Sequence, residues 1–340
     1  MATNLIGDMA RAVALPRLKQ AAGWVTRLLP VPQPTLLIGP GASSRLGQAV
    51  GGVGHRKVLV VTDAVVARLG LLRGLTDALA ASGTAHAIFD RVTPDAPLPV
   101  IEAGIDEYEA EGCDAIIAFG GGSVIDAAKA IGLASVNGKH PRELVGYFRG
   151  RRAPPPLYAV PTTAGTGSEV TVAAVISDPE HARKLVIADT RLVPRLAALD
   201  PTLMTGLPPA ITAATGMDAL THAVEAYIGQ WGTAYTDRMA LAAVALIYRH
   251  LPVTCRRGKN VAAREGMALA ACYAGLAFTR ANVGNVHAIA HQLGGLYHTP
   301  HGLANAIMLP PVLRWCTAAA VPKLAELAVH AGVALSLIHI

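Results

Sequence analysis

The sequence predicts two joined architectures: an α/β domain built on a largely parallel sheet, followed by an all-α domain. Three observations predict this. From Thr35 to about Asp200, short β-rich runs alternate with helical patterns, which calls for a sheet covered by helices on both faces. Those runs are apolar almost throughout, as strands are when both faces are buried. After Asp200-Pro201 the period changes, and Pro208 to Gly332 reads as helix rich in Ala and Leu. With 340 residues, 52% of them hydrophobic, the chain can bury a core in each half. Only 4% are aromatic, so Ala, Leu and Val must carry the packing.

Taken in order, residues 1–33 read as an N-terminal extension. Arg11, Arg17, Lys19 and Arg27 stand against a single Asp8, the pattern of an amphipathic helix. The stretch is not Ser-rich, so an accessory surface helix is favoured over a mitochondrial presequence. The α/β domain spans 34–200. Its strands are expected at Lys57–Thr62, Ala85–Phe89, Ala115–Phe119, Leu157–Val160 and Ala173–Ser177, with helices near Leu69–Ser82, Val100–Glu111 and Ser123–Ala134. The helical domain, 201–340, is broken at Gly229–Gly232, Arg256–Lys259 and Gly294–Gly302. Its longest apolar run, Met267 to Phe278, is too short to cross a bilayer and reads as a buried helix.

The net charge of +6 raises the question of nucleic acid. The basic residues are scattered, however, and lack interleaved aromatics. The densest cluster, Arg149, Arg151 and Arg152 beside Pro154-Pro155-Pro156, reads as a solvated loop. Neither a nucleic acid nor a membrane is expected as partner. Cys113, Cys255, Cys272 and Cys316 show no CxxC spacing, which points to reduced thiols in the cytoplasm.

Chemistry concentrates in four places. Gly120-Gly121-Gly122-Ser123 runs from a strand into a helix, so backbone N–H groups and the helix dipole can meet a pyrophosphate. Ser123 can cap that helix and donate to a phosphate oxygen. Asp63, at the end of a strand, either accepts from ribose hydroxyls and repels a 2′-phosphate or caps the next helix. The segment Pro161 to Glu169, with Thr162, Thr163 and Ser168, places small hydroxyls at another strand end. Finally, Asp218 and His222 lie i, i+4 on one helix face, and His287 and His301 follow in a region of glycine and proline turns. One carboxylate and three imidazoles suit a divalent metal, Fe²⁺ or Zn²⁺. His291, four residues after His287, is a proton relay, an extra ligand or a packed neighbour.

Together these segments resemble the iron-containing (group III) alcohol dehydrogenase family. The matching stretches are Gly120 to Ser123 with Asp126 and Lys129, Pro161 to Thr171, Gly216 to Tyr227, and Val286 to Asn305. The resemblance implies a cleft between an α/β dinucleotide domain and a helical metal domain. It makes Asp218, His222, His287 and His301 the metal ligands and puts Gly121, Gly122, Ser123, Asp126, Thr162, Thr163 and Ser168 around the cofactor. It further implies that Asp63 sets a preference for NAD, that Lys184 touches the cofactor, that His291 sits beside the ion, and that Phe278 walls the substrate pocket. A homodimer is implied by the family alone. The ending, Gly332 to Ile340, departs from the family, so the expectation is a chain that is truncated or carries a foreign tail.

The expected reaction is reversible hydride transfer between a small alcohol or diol and NAD, giving an aldehyde or ketone, with the metal polarising the hydroxyl and His291 carrying its proton. Two rivals stay open. One is a metal- and NAD-using lyase of the dehydroquinate synthase type, which needs a strongly basic pocket. The other is a truncated, non-catalytic relative that holds cofactor but no metal.

Overall fold

Six parallel strands in the order β1-β9-β6-β4-β2-β3 organise the first half of the chain. They are β1 (Thr35–Ile38), β2 (Lys57–Val61), β3 (Ala85–Phe89), β4 (Ala115–Gly120), β6 (Leu157–Pro161) and β9 (Leu196–Leu199). The structure is a computed structural model that describes residues 29–333. The helix expected over residues 1–30 falls almost wholly outside that range, as does the tail from residue 334. The described residues from Pro32 onward form one unit.

The central strands are apolar because each face feeds a different core. In β2 and β4, Leu59, Val61, Ile116 and Ala118 enter one cluster, while Val58, Val60, Ile117 and Phe119 enter the other. This is the two-residue alternation of a pleated strand with both faces covered. Helices α4 (Leu98–Ala110) and α5 (Gly122–Asn137) cover the first face. On the opposite face lie α1 (Ala42–Gly51) and α3 (Arg73–Ala81), the latter preceded by the short α2 (Ala64–Arg68). The helix expected near Leu69–Ser82 is α3, which starts only at Arg73 because Gly70 takes a left-handed φ of 67° after α2, a short helix that was not anticipated.

The fifth expected strand lies elsewhere. β7 (Ala173–Asp178) pairs antiparallel with β8 (Arg183–Ala188), and β5 (Gly146–Tyr147) adds to β8 in a separate three-stranded sheet. β7 alternates between buried and half-buried positions, the signature of a strand covered on one face only. Strands β1, β8 and β9 and helix α1 were not anticipated; β1 and β9 are only four residues each, too short to show a period.

The second half is helical: α6 (Pro209–Ile228), α7 (Ala234–Arg256), α8 (Val261–Ala281), α9 (Asn285–Tyr297) and α10 (His301–His330). The three expected breaks separate α6 from α7, α7 from α8, and α9 from α10; a fourth, at 282–284, separates α8 from α9. Small residues let these helices approach closely. A Cβ on Gly216 would sit 2.3 Å from Leu251 Cδ1, so α6 and α7 touch there through glycine. The run Met267 to Phe278 is the middle of α8, largely buried in the helical core. Among the described residues no helix is long and apolar enough to cross a membrane. Arg149, Arg151 and Arg152 are exposed, and the four cysteines are unpaired.

Candidate metal centre and cofactor cleft

Asp218 and His222 project from the same face of α6, one turn apart. His287 comes from the first turn of α9, and His301 is the first residue of α10, behind Pro300. One donor atom from each lies within 4.8 Å of every other. Around Asp218 Oδ1 stand His301 Nε2 at 3.3 Å, His287 Nε2 at 3.7 Å and His222 Nδ1 at 3.8 Å. Ligands bonded to one cation at about 2.1 Å with tetrahedral angles stand about 3.4 Å apart, so the spacing fits a single ion. His222 Nδ1 is also buried with no hydrogen-bond partner among the described residues. A buried lone pair facing a carboxylate calls for a proton or a cation between them. The donor set and its orphaned nitrogen therefore fit a divalent metal.

The electrostatics agree. Burial alone would raise the Asp218 carboxyl, yet the surrounding imidazoles His222, His301 and His287 outweigh it and hold the group ionised far below the usual carboxylate range. Burial pushes His222 down to about 3, only partly opposed by Asp218. His287 moves the other way, up to about 9, because hydrogen bonds to Asp218 and Glu225 overcome its desolvation. His291 lies outside the four-donor group, its ring 5.2 Å from that of His301, and burial followed by repulsion from His301 and His287 lowers it to about 4. It is therefore neutral near pH 7. Phe278 stacks on His222 with ring centroids 4.2 Å apart.

Two residues of this centre were not anticipated. Asn305 is fully buried and its Nδ2 donates to Asp218 Oδ1 at 2.7 Å. Glu225 Oε2 accepts from His287 Nδ1 at 2.6 Å. A signal existed for both: Glu225 is three residues after His222, and Asn305 four after His301, so each shares a helix face with a donor.

A cavity of about 520 Å³ joins this centre to the glycine turn, and His222, His287, His291, His301 and Phe278 line it together with Gly122 and Ser123. The turn sits where the sheet reverses its winding: the chain runs from β2 outward to β3, then returns to place β4 on the other side of β2. Crevices at the carboxyl ends of strands at such a point bind nucleotides. Gly121 is extended and Gly122 begins α5, aiming the first-turn N–H groups at the cleft. Ser123 does not cap the helix; its Oγ accepts from the Asp95 N–H at 3.0 Å.

The other expected cofactor residues differ in how free they are. Thr162 is buried, its N–H donating to Gly120 O at 3.0 Å, and Thr163 packs beside Gly121. Asp126 and Ser168 line the cavity but are committed to each other at 2.5 Å, Asp126 also accepting from the Val175 N–H. Lys129 is wholly buried, with Ser168, Thr171 and Ala173 supplying five oxygens to its ammonium. It ties α5 to the segment before β7. Lys184 faces the cavity and pairs with Asp95, which holds a left-handed φ of 69°. Asp63 caps α2, its Oδ1 accepting from the Val65 and Val66 N–H groups at 2.9 Å, while sitting just past the end of β2 beside the switch point.

Comparison with known proteins decides the family. Residues 33–201 match the model of iron-containing alcohol dehydrogenases, and residues 212–337 match that of the family's C-terminal domain. The chain belongs to the iron-containing alcohol dehydrogenase family. It is 39% identical over 295 residues to the NAD-dependent methanol dehydrogenase of Bacillus methanolicus, covering 87% of this chain and 77% of that protein. With the 1,3-propanediol dehydrogenase of Klebsiella pneumoniae it shares 44% identity over 292 residues, 85% of this chain and 76% of that one. The crystal structure of a 1,3-propanediol oxidoreductase superposes with a TM-score of 0.87 at 42% identity, over 90% of this chain and 80% of the other. As a family member the chain is an oxidoreductase of the iron-containing alcohol dehydrogenase class.

Proposed function

We propose that this dehydrogenase catalyses reversible hydride transfer between a small primary alcohol or diol and NAD, with Fe²⁺ or Zn²⁺ held by Asp218, His222, His287 and His301. The observation that carries the reading is the convergence of those four donors around one buried carboxylate, in the wall of the cavity that the glycine turn also lines. The similarity to methanol and 1,3-propanediol dehydrogenases supports a short substrate.

A cation held there would supply polarisation of the substrate oxygen, and a nicotinamide the capacity to accept or return a hydride. The chain supplies the rest. The part up to about residue 200 contributes the first turn of α5 at Gly121, Gly122 and Ser123, with Thr162 and Thr163 beside it, for the pyrophosphate. Asp63 presents negative charge where an adenosine ribose would lie, favouring NAD over NADP. Asp126 and Ser168 brace the cofactor side of the cleft, and Lys184 faces the same space. The helical part contributes the metal centre. Phe278 walls the pocket against His222 and gives an alkyl chain an apolar surface. His291, neutral at working pH, lines the cavity and takes the hydroxyl proton toward solvent. Unpaired cysteines support a cytoplasmic protein, and assembly as a homodimer is carried over from the family resemblance.

The test is an NADH-formation screen across alcohols and diols, from methanol upward, on protein loaded with one equivalent of Fe²⁺ or Zn²⁺. Net NADH is expected with small primary alcohols. Protein that binds both metal and NAD yet reduces NAD with none of them overturns the reading. Full activity of His287→Ala with metal still bound would remove that residue from the ligand set.

A further inference from the structure

We infer that Glu225 is a positioning residue of the metal centre: its carboxylate fixes the proton of His287 on Nδ1 and so turns the Nε2 lone pair toward the cation. The inference rests on the metal-centre reading above. Glu225 is nearly fully buried, at 4% exposure, on the α6 face that carries Asp218 and His222. Its Oε2 lies 2.6 Å from His287 Nδ1. A carboxylate can only accept, so the proton must sit on Nδ1. Any second proton on the ring must then sit on Nε2, the nitrogen that joins Asp218 Oδ1 in the donor group, and it is that proton a cation would displace to take the lone pair.

The same carboxylate sets where the ring stands. It accepts from the Val286 N–H at 2.6 Å and the Gly284 N–H at 2.9 Å, taking up first-turn donors of α9. Gly284, the residue at the cap position, has no side chain to do this, and a Cβ there would lie 2.8 Å from Glu225 Oε1. Glycine at 284 therefore admits the carboxylate, and the carboxylate anchors both the ring and the start of the helix that bears it. A neighbouring carboxylate that orients a ligating imidazole also raises its basicity toward the metal, and removing such a partner typically weakens metal binding about 10- to 100-fold.

The experiment measures zinc affinity, by competition with a chromogenic chelator, for the full chain and for Glu225→Gln, Glu225→Asp, His287→Ala and the double variant Glu225→Gln/His287→Ala. Thermal unfolding of the metal-free proteins and NAD affinity serve as fold readouts, and the visible spectrum of the Co²⁺-loaded proteins reports coordination. Glu225→Gln and Glu225→Asp are expected to bind zinc about 10- to 100-fold more weakly, with a shifted Co²⁺ spectrum, metal-free unfolding within a few degrees of the parent and unchanged NAD affinity. In the His287→Ala background the further loss on adding Glu225→Gln is expected to vanish. Zinc affinity within twofold of the parent in both single variants overturns the inference. So does an equal loss with and without His287, since the carboxylate would then act on α9 alone. If His287→Ala itself binds zinc as the parent does, the metal-centre reading fails instead.

Discussion

Gly122 offers the sharpest check on the cofactor cleft. A methyl group placed there meets Thr166 at three atoms: Cγ2 at 2.4 Å, Oγ1 at 2.7 Å and Cβ at 3.0 Å. Rotating Thr166 can turn only one of the first two away, since two heavy substituents share three staggered positions, and its Cβ is fixed by the backbone, so the 3.0 Å contact persists in every rotamer. Either the glycine turn or the Thr166 loop must then shift by a few tenths of an ångström. Shifting the loop also strains the turn bond from the Ser168 N–H to Thr166 Oγ1, now 3.2 Å. Overpacking of this kind typically costs about 1–3 kcal/mol. If that cost falls on the NAD-competent geometry of the turn, Gly122→Ala weakens NAD binding about 5- to 150-fold. Titration calorimetry with NAD, alongside urea unfolding to check the fold, measures it. Adding Thr166→Gly removes all three contacts and is expected to restore most of the affinity. An unchanged dissociation constant for Gly122→Ala refutes the reasoning, as does a loss that Thr166→Gly leaves untouched.

Other perturbations follow from the same geometry. Asp63→Ser keeps an N-cap for α2 but removes the charge, so NADP should gain on NAD by about tenfold or more with little change in urea midpoint; unchanged selectivity would take Asp63 out of cofactor choice. Glu169 is buried, which raises its carboxyl to about 7 against the partial opposition of Lys129. The folded state thus holds a proton that the unfolded state releases above about 4.5, and stability should fall as pH rises from there to about 7, by a few kcal/mol in order of magnitude. Glu169→Gln should flatten that slope in urea unfolding at pH values on either side of the window; a slope unchanged by the substitution would show that another group carries it. Gly275→Ala puts a methyl 2.7 Å from Val170 Cγ2 and 2.8 Å from Gly167 O, where α8 packs on the segment before β7. A loss of about 1–3 kcal/mol in unfolding free energy is expected, and none would mean that this contact is loose.

Much of the fold was legible because it is written in short-range periodicity. The apolar runs of β2, β4 and β6 carry their burial in their own composition, and α6 and α8 show theirs in an Ala- and Leu-rich helical pattern. The glycine turn and the Asp218/His222 pair are equally local. Elements that depend on a distant partner were not legible. β1 and β9 are four residues each and exist as strands because they pair with one another across the whole α/β half. β7 has the composition of a sheet strand, yet the turn at 179–182 folds β8 back against it in a different sheet.

The site divides along the same line. By itself the sequence determined which side chains have metal-binding chemistry, and that a glycine-rich strand-to-helix turn lies upstream, because residue type and local spacing are enough for both. Only the tertiary structure decided that His287 and His301 meet Asp218 and His222, that His291 stands just outside the group, and that Asp126 and Lys129 are committed to bracing rather than left open. It also decided that Glu225 reaches across 62 residues to His287 Nδ1, and Asn305 across 87 to Asp218. The reason is physical: spacing within one helix or turn fixes which face a side chain takes, whereas contact between helices follows from how their surfaces pack, which depends on all of them at once.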